Sequence, residues 1–258
     1  MQTDYLTRLR VALAGLIVGA LPLVLSRWML KPLGYEIGRD VRIGFSLILC
    51  DRVTLQKGSR IGHFNFIRTP KLALGAAAKI GQMNLMRGPV RIELSKGAAI
   101  GNRNVITRAP ANVTYGSATL HLGALSKITA AHSIDCAASV TMGNYSILAG
   151  KGSQIWTHGY VHDETGPGRY RVDGPVVLGN NVYVGARALI TGGVTVADGA
   201  IIGAGVPVAR SLEKAGLYVS GPLRMLPRPV SPDERPDMVR VSAPNLVETV
   251  YEKRDDSR

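Results

Sequence analysis

The stretch VVLGNNVYVGARALITGGVTVADGAIIGAGVPVARSL, residues 176–212, carries an aliphatic residue at every sixth position. These positions are Leu178, Val184, Ile190, Val196, Ile202 and Val208. A period of six fits neither the 3.6-residue period of an α-helix nor the alternation of a simple strand. It is typical of a triangular solenoid, in which each hexad supplies one short strand and one corner and three hexads complete a coil.

The same period extends toward the N-terminus, with shifts of phase between its blocks. Its members are Ile37, Ile43, Leu49, Leu55, Ile61 and Ile67, then Ile80, Met86 and Ile92, then Ile100 and Ile106, and then Leu122, Ile128, Ile134 and Val140. A glycine or another small residue often follows, which lets the chain turn tightly at a corner. The pattern predicts an all-β parallel β-helix over residues 35–212, an N-terminal apolar helix within residues 1–34 and an irregular C-terminal cap and tail over residues 213–258.

The composition fits a narrow core and an anionic partner. Hydrophobic residues make up 46% of the 258 residues but aromatic residues only 5%, which suits an interior filled by small and aliphatic side chains. The net charge of +13 favours partners such as the phosphates of coenzyme A (CoA), nucleotide sugars, acidic glycans or anionic lipid. Basic residues do not alternate with aromatic ones in runs, so nucleic acid is not an expected partner. Cys50 and Cys136 lack metal-site spacing, which predicts reduced thiols and a cytoplasmic location.

The N-terminal segment has an uncharged run, residues 11–26, with basic residues on both sides. At 16 residues the run is shorter than the ~20 that span a bilayer. Two interpretations stay open. One is a helix packed on the end of the solenoid, and the other is an interfacial anchor that gives residues 9–30 peripheral contact with the inner face of the cytoplasmic membrane.

The hexad pattern breaks at THGYVHDETGPGRYRVDGP, residues 157–175. This stretch is polar, rich in glycine and out of phase with the repeat, so it predicts a loop expelled from the solenoid. Such loops often carry function.

Residues 176–212, followed by YVSGPLRML at 218–226, resemble the hexapeptide-repeat acetyltransferases, and most closely the saccharide O-acetyltransferases of surface-polysaccharide pathways. The resemblance implies a left-handed β-helix, a homotrimer and acetyl-CoA as the acyl donor, with no metal. It also implies a CoA groove between neighbouring subunits. The residues matched to that groove are Gly185, Ala186, Gly203, Ala204, Arg210 and Arg224. In place of the family's usual small residue, Ser/Thr and Lys, this chain has VPVAR at 206–210.

The same resemblance matches the stretch WTHGYVHDE, residues 156–164, to the family's active site and His158 to its general base. Acyl transfer from a thioester needs a group that removes a proton from the acceptor, and imidazole suits that task near neutral pH. His162 is the alternative base or a substrate contact. Asp135 is a candidate contact of a sugar hydroxyl, with a coil-corner role as its equal alternative. His132 and Trp156 are further candidates for substrate binding.

The expected activity is therefore O-acyl transfer to a saccharide, glycan or glycolipid precursor, directly from acetyl-CoA. N-acetylation of an amino sugar or nucleotide sugar is the nearest alternative. A metal protein similar to the γ-type carbonic anhydrases would need a third histidine ligand beside His158 and His162, and His121 and His132 fit that role poorly. A non-catalytic solenoid is the remaining alternative.

Overall fold

A computed structural model of the chain describes residues 9–13, 30–110, 112–162, 164–221, 224–226, 234, 236, 238–241 and 250–253. Residues 9–13 are helical, and a single 3-10 turn spans Lys31–Leu33. Almost everything else with regular structure is a short strand.

The strands follow one another in repeated sets of three. The first four sets are β1 (Tyr35–Ile37), β2 (Arg42–Ile43), β3 (Leu47–Ile48), β4 (Arg52–Leu55), β5 (Arg60–Ile61), β6 (Phe66–Arg68), β7 (Lys71–Leu74), β8 (Lys79–Ile80), β9 (Leu85–Arg87), β10 (Val90–Leu94), β11 (Ala99–Ile100) and β12 (Val105–Thr107). The next are β13 (Ala118–Leu122), β14 (Lys127–Ala130), β15 (Ser133–Asp135), β16 (Val140–Met142), β17 (Ile147–Lys151) and β18 (Gln154–Trp156).

A two-stranded insertion follows, and then the sets resume. The insertion is β19 (His158–His162) and β20 (Arg169–Asp173). The later strands are β21 (Val176–Leu178), β22 (Tyr183–Val184), β23 (Leu189–Thr191), β24 (Thr195–Val196), β25 (Ile201–Ile202), β26 (Pro207–Val208), β27 (Leu217–Val219), β28 (Arg224–Leu226), β29 (Met238–Val241) and β30 (Val250–Lys253).

Three sheets form the faces of the solenoid, and their strands from successive coils pair in parallel. The first face has the order β1-β4-β7-β10-β13-β16-β21-β24, the second face β2-β5-β8-β11-β14-β17-β22-β25-β27-β28, and the third face β3-β6-β9-β12-β15-β18-β23-β26. We call the corner between the first and second faces the first edge, the next corner the second edge, and the corner from the third face back to the first the third edge. The prediction of a left-handed parallel β-helix is confirmed.

The repeat's aliphatic residues point into the prism and form one continuous core, with Ile67, Ile106 and Val184 fully buried. The prediction that Leu49 points into the core is wrong. The buried residue of β3 is Ile48, because the step from Ile43 to the third face is one residue shorter in this coil.

The two long insertions in the repeat share a structural location, the third edge. Val177 pairs with Thr195 one coil later, a step of 18 residues, whereas Ile92 pairs with Leu120 and Val140 with Val176. The two long coils expel residues 109–117 and 157–175 at this edge. In the second of these segments, β19 and β20 form a β-hairpin in which His158 pairs with Asp173.

A polar ladder runs beside the core along the start of the third face. Each member accepts a hydrogen bond from the backbone N–H of the next coil, and its members are Ser46, Asn65, Asn84, Asn104, His132 and Ser153. His132 Nδ1 accepts from Ser153 N at 3.1 Å, and Nε2 lies 2.9 Å from Thr129 Oγ1. At 1% exposure His132 lies inside the ladder, which corrects its assignment to the acceptor cleft.

The N-terminal end of the solenoid is covered in part by described residues. Arg10 donates to the carbonyl of Asp51 at 3.3 Å, and Leu30 is fully buried under the first coil. The rest of the expected apolar helix, residues 14–29, lies outside the described residues. In the described part of the chain no helix is long and apolar enough to cross a bilayer.

The C-terminal region differs from the expected irregular cap. β27 joins the second face in parallel with β25, and β28 returns antiparallel to β27. β29 and β30 form a separate antiparallel pair. The stack of coils therefore continues past residue 212 to residue 219.

Candidate active site

Asp135 and His158 meet on the third edge. Asp135 ends β15, and His158 begins the expelled hairpin one coil later. Asp135 Oδ2 lies 2.8 Å from His158 Nδ1, and both side chains are largely shielded from solvent, with exposures of 11% and 22%. The sequence pattern suggested both residues but not the contact between them.

This contact selects the histidine's tautomer. A carboxylate oxygen only accepts hydrogen bonds, so in the neutral imidazole Nδ1 of His158 carries the proton and Nε2 has the lone pair. Among the described residues none forms a hydrogen bond with Nε2. His158 therefore has one nitrogen fixed and the other available as a base, which is the arrangement that general-base catalysis requires.

Neighbouring groups hold the Asp135 carboxylate in place. Thr157 Oγ1 donates to Asp135 Oδ2 at 2.8 Å, and the backbone N–H of Ala137 donates to the same oxygen at 3.2 Å. Thr157 Oγ1 in turn accepts from the backbone N–H of Ala138 at 2.9 Å. These hydrogen bonds restrict the rotation of the Asp135 carboxylate, so His158 is oriented by a rigid partner.

Two aromatic rings flank His158 edge-on. The ring centroids of Trp156 and Tyr160 each lie 5.9 Å from that of His158. Trp156 is 41% exposed, and its Nε1 donates to Gln154 Oε1 at 2.7 Å. Trp156 therefore lies beside the candidate base, and its role as a substrate contact stays a prediction.

Cys136 follows Asp135 directly but is no candidate nucleophile. Its side chain is fully buried in the core. Burial, followed by the negative charge of Asp135, raises the pKa of the Cys136 thiol well above its ordinary value. A thiol of this kind stays protonated near neutral pH, and its burial keeps it out of reach of a ligand.

A cleft opens beside the pair, between the two expelled segments. It has a volume of about 380 Å³ and is lined by Val113, Tyr115, Tyr160, Arg171 and Asp173. Arg171 donates to Asp173 Oδ2 at 2.7 Å, and this hydrogen bond raises the pKa of Arg171. Asp173 Oδ1 is buried without a hydrogen-bond partner among the described residues. The exposed rings of Tyr115 and Tyr160 suit the apolar face of a ring-shaped ligand.

Arg108 holds one wall of this cleft and was not identified from the sequence. It is 5% exposed, and its guanidinium donates to the carbonyls of Pro89 at 2.9 Å, Tyr115 at 2.7 Å and Gly116 at 3.2 Å. These bonds tie the 109–117 segment to the coil beneath it. The signal that could have revealed the segment is the 16-residue gap between Ile106 and Leu122, far longer than a hexad.

The candidate CoA residues Gly185, Ala186, Gly203 and Ala204 lie on the second edge. A Cβ on Gly185 would meet Ala204 N at 2.6 Å, so the coils stack very closely there. At the same edge in earlier coils, side chains cover the corner amides, as when His63 Nδ1 accepts from Phe45 N at 3.0 Å. The N–H groups of Ala186 and Ala204 have no such partner among the described residues.

Three predicted residues lie away from His158. His162 is exposed at the far end of β19, about 13 Å along the strand from His158. Arg210 is exposed just beyond β26, on the third edge rather than the second. Arg224 begins β28, and its backbone pairs with Val219, but its side chain lies outside the described part of the structure.

The described residues contain no group of three His, Cys, Asp or Glu side chains placed to share a metal ion. His158 and His162 lie at opposite ends of one strand, so they do not form a pair of ligands to one ion within a chain.

Comparison with known proteins agrees with the fold. Residues 175–209 match the family model described as bacterial transferase hexapeptide (six repeats). A curated relative, the bifunctional protein GlmU of Acidithiobacillus ferrooxidans, is 24% identical over 74% of this chain and 36% of its own length. The galactoside O-acetyltransferase of Escherichia coli K12 is 28% identical over 50% of this chain and 63% of its own length. The chain thus spans less than two thirds of either relative.

Solved structures of similar chains have low identity. The polysialic-acid-specific acetyltransferase NeuO is 16% identical, with a TM-score of 0.42 over 76% of this chain and 87% of its own. A hexapeptide-repeat acetyltransferase from Vibrio cholerae, in complex with acetyl coenzyme A, is 14% identical, with a TM-score of 0.34 over 87% of each chain. The hexad pattern, the three parallel sheets and the family-model match together identify the chain as a left-handed β-helix of the hexapeptide-repeat type.

Proposed function

We propose that the chain is an acetyl-CoA-dependent O-acyltransferase that acts on a saccharide, with His158 as its general base. The observation that carries this proposal is the 2.8 Å contact between His158 Nδ1 and Asp135 Oδ2 at the mouth of the cleft. The transferase repeat match and the relation to a galactoside O-acetyltransferase support the reaction class.

The proposed reaction is a direct transfer. His158 Nε2 takes the proton of an acceptor hydroxyl as its oxygen attacks the thioester carbonyl, and the tetrahedral intermediate then expels the thiolate of CoA. The charge that Asp135 retains stabilises the imidazolium formed in this step. His158 then returns its proton to the departing thiolate, so the base is restored for the next cycle.

The acceptor would occupy the cleft lined by Tyr115, Tyr160 and Asp173. A sugar presents apolar ring faces, which match the exposed rings of Tyr115 and Tyr160. This cleft opens beside His158, whose ring contacts that of Tyr160. The hydroxyl that reacts would therefore come from a sugar held between the 109–117 segment and the hairpin.

The pantetheine arm of acetyl-CoA would bind along the second edge, where the N–H groups of Ala186 and Ala204 are available as donors. That edge is about 16 Å from the third edge, the width of strand β23 and its corner. One chain therefore does not bring its own second edge to its own His158. A homotrimer, in which the second edge of one subunit faces the third edge of the next, would complete each site.

The direct test measures thiol release from acetyl-CoA by the full chain with a panel of neutral, acidic and amino sugars. We expect release that depends on an added hydroxyl acceptor, with an ester product that mild base removes. A base-stable amide formed only on amino sugars would instead establish N-acetylation. Absence of both CoA binding and acceptor-dependent release would contradict the proposal and favour a non-catalytic solenoid.

A further inference from the structure

Unpaired arginines line the third edge below the candidate active site. Arg68 and Arg87 end β6 and β9 and pair with each other in register. The same column continues through Thr107 to Asp135. Since each coil adds about 4.8 Å, Arg87 lies about 10 Å and Arg68 about 14 Å from Asp135 along the solenoid.

A second column lies on the other side of the same corner. Arg52, Lys71 and Arg91 occupy equivalent positions on the first face in successive coils. Lys71 is neutralised by Glu93 at 2.8 Å, whereas Arg52 and Arg91 form no ion pair with any described residue. We call the four unpaired residues Arg52, Arg68, Arg87 and Arg91 the basic edge; all four are exposed.

The basic edge is connected physically to the acceptor cleft. Arg108 donates to Pro89 O, within the corner that joins Arg87 to Arg91, and also to the carbonyls of Tyr115 and Gly116. One buried side chain therefore fixes the cleft wall relative to the basic edge. The order along the third edge is arginines, cleft wall and then the Asp135–His158 pair.

We propose that the acceptor is a polyanionic glycan that lies along the third edge, with its acidic groups on the basic edge and one sugar in the cleft. This inference rests on the proposed function. Four like charges spaced by coil stacking, none of them in an ion pair with a described residue, repel one another in the free protein. A chain with repeated carboxylates or phosphates relieves that repulsion. A small neutral sugar would leave these residues without a role.

The chain itself supplies a matched control. Arg42 and Arg60 stack in register on the second face, as Arg68 and Arg87 do on the third, and both are exposed. The second face does not border the third edge, where His158 lies. Removing either pair changes the net charge equally, so a difference between the two variants reports position rather than overall charge.

The experiment measures binding of an end-labelled hexagalacturonate to the full chain by fluorescence anisotropy at low and high salt, with maltohexaose as a neutral competitor. We expect Arg68→Gln/Arg87→Gln to weaken binding about fivefold and Arg42→Gln/Arg60→Gln by less than about twofold. Salt should weaken binding by the wild type, and thermal unfolding checks that both variants fold.

Equal losses in the two variants, effective competition by maltohexaose, or no binding at low salt would overturn the inference. The binding measurement does not depend on turnover. Hexagalacturonate binding at the basic edge without any acyl transfer would refute the proposed activity alone. Acyl transfer to a short sugar with equal losses in both arginine variants would refute the polyanion inference alone.

Discussion

Asp135 Oδ2 lies 2.8 Å from His158 Nδ1, although 23 residues separate them in the chain. The solenoid creates this contact because Asp135 ends one third-face strand and His158 begins the segment that leaves the next. Oδ2 of Asp135 therefore contacts both the candidate base, His158, and the hydroxyl of Thr157. The proposed role of Asp135 is to orient and stabilise His158. The expected contact between Asp135 and a sugar hydroxyl stays a prediction.

Trimers that mix two inactive variants test whether the candidate active site is shared between chains. His158→Ala removes the base at the third edge, and Ala204→Trp obstructs the second edge. Each variant alone should be inactive. Trimers reassembled from equal amounts of both should recover about one quarter of wild-type activity, because one interface in four combines two intact edges. A site contained within a single chain would give no recovery in the mixture, as measured by thiol release from acetyl-CoA.

Arg108 should be a stability determinant. Arg108→Ala removes three hydrogen bonds from a buried guanidinium to carbonyls, and we expect the free energy of unfolding to fall by about 2–3 kcal/mol. The exposed Arg103 is the control, and Arg103→Ala should change stability by less than about 0.5 kcal/mol. Urea unfolding measures both. Equal effects from the two substitutions would contradict the anchoring role.

His132 makes the ladder sensitive to acid. Burial lowers the pKa of His132 in the folded chain, so this residue contributes stability above the ordinary imidazole pKa of about 6.5 that is lost as pH falls. An asparagine in its place would continue the run of Asn65, Asn84 and Asn104 without titrating. We expect His132→Asn to change stability by less than about 1 kcal/mol at pH 8 and to unfold less readily than wild type at pH 5. Parallel pH profiles of unfolding in the two proteins would contradict this account.

Tyr160 should affect acceptor binding more than chemistry. Its hydroxyl hydrogen-bonds with Arg171, which in turn holds Asp173, so Tyr160→Phe loosens the cleft but leaves the His158 ring contact. We expect KM for the acceptor to rise about fivefold, with kcat within about twofold. Tyr145→Phe, at an exposed tyrosine on the first edge, is the matched control. A fall in kcat at unchanged KM would show that Tyr160 acts in the transfer step.

The fold was predictable because a triangular solenoid is the structure that points one aliphatic residue inward at every sixth position. Ile48 was missed because a corner shortened by one residue leaves Leu49 in apparent phase. His132 was misassigned because an isolated histidine looks the same in sequence whether it lies in the buried ladder or in a cleft. The signal that separates them is the run of Asn65, Asn84 and Asn104, each two residues before an inward aliphatic residue.

The candidate site was only partly predictable. His158 and Trp156 stand where the repeat breaks, and that break is visible in sequence. The cleft is different, because it joins two expelled segments from separate coils. Tyr115 and Asp173 are 58 residues apart in the chain. They line the same cleft because the coils stack at the third edge.

Acceptor-dependent thiol release by His158→Ala, Asp135→Asn and His162→Ala tests the proposed role of His158 as the base. We expect His158→Ala to lower kcat by about 10²- to 10⁴-fold. Asp135→Asn should also reduce it, by up to about 10⁴-fold, because an amide can hold the wrong tautomer. His162→Ala, at the far end of the same strand, should stay within about threefold of wild type. Near-normal turnover by His158→Ala in a folded trimer would show that His158 is not the general base.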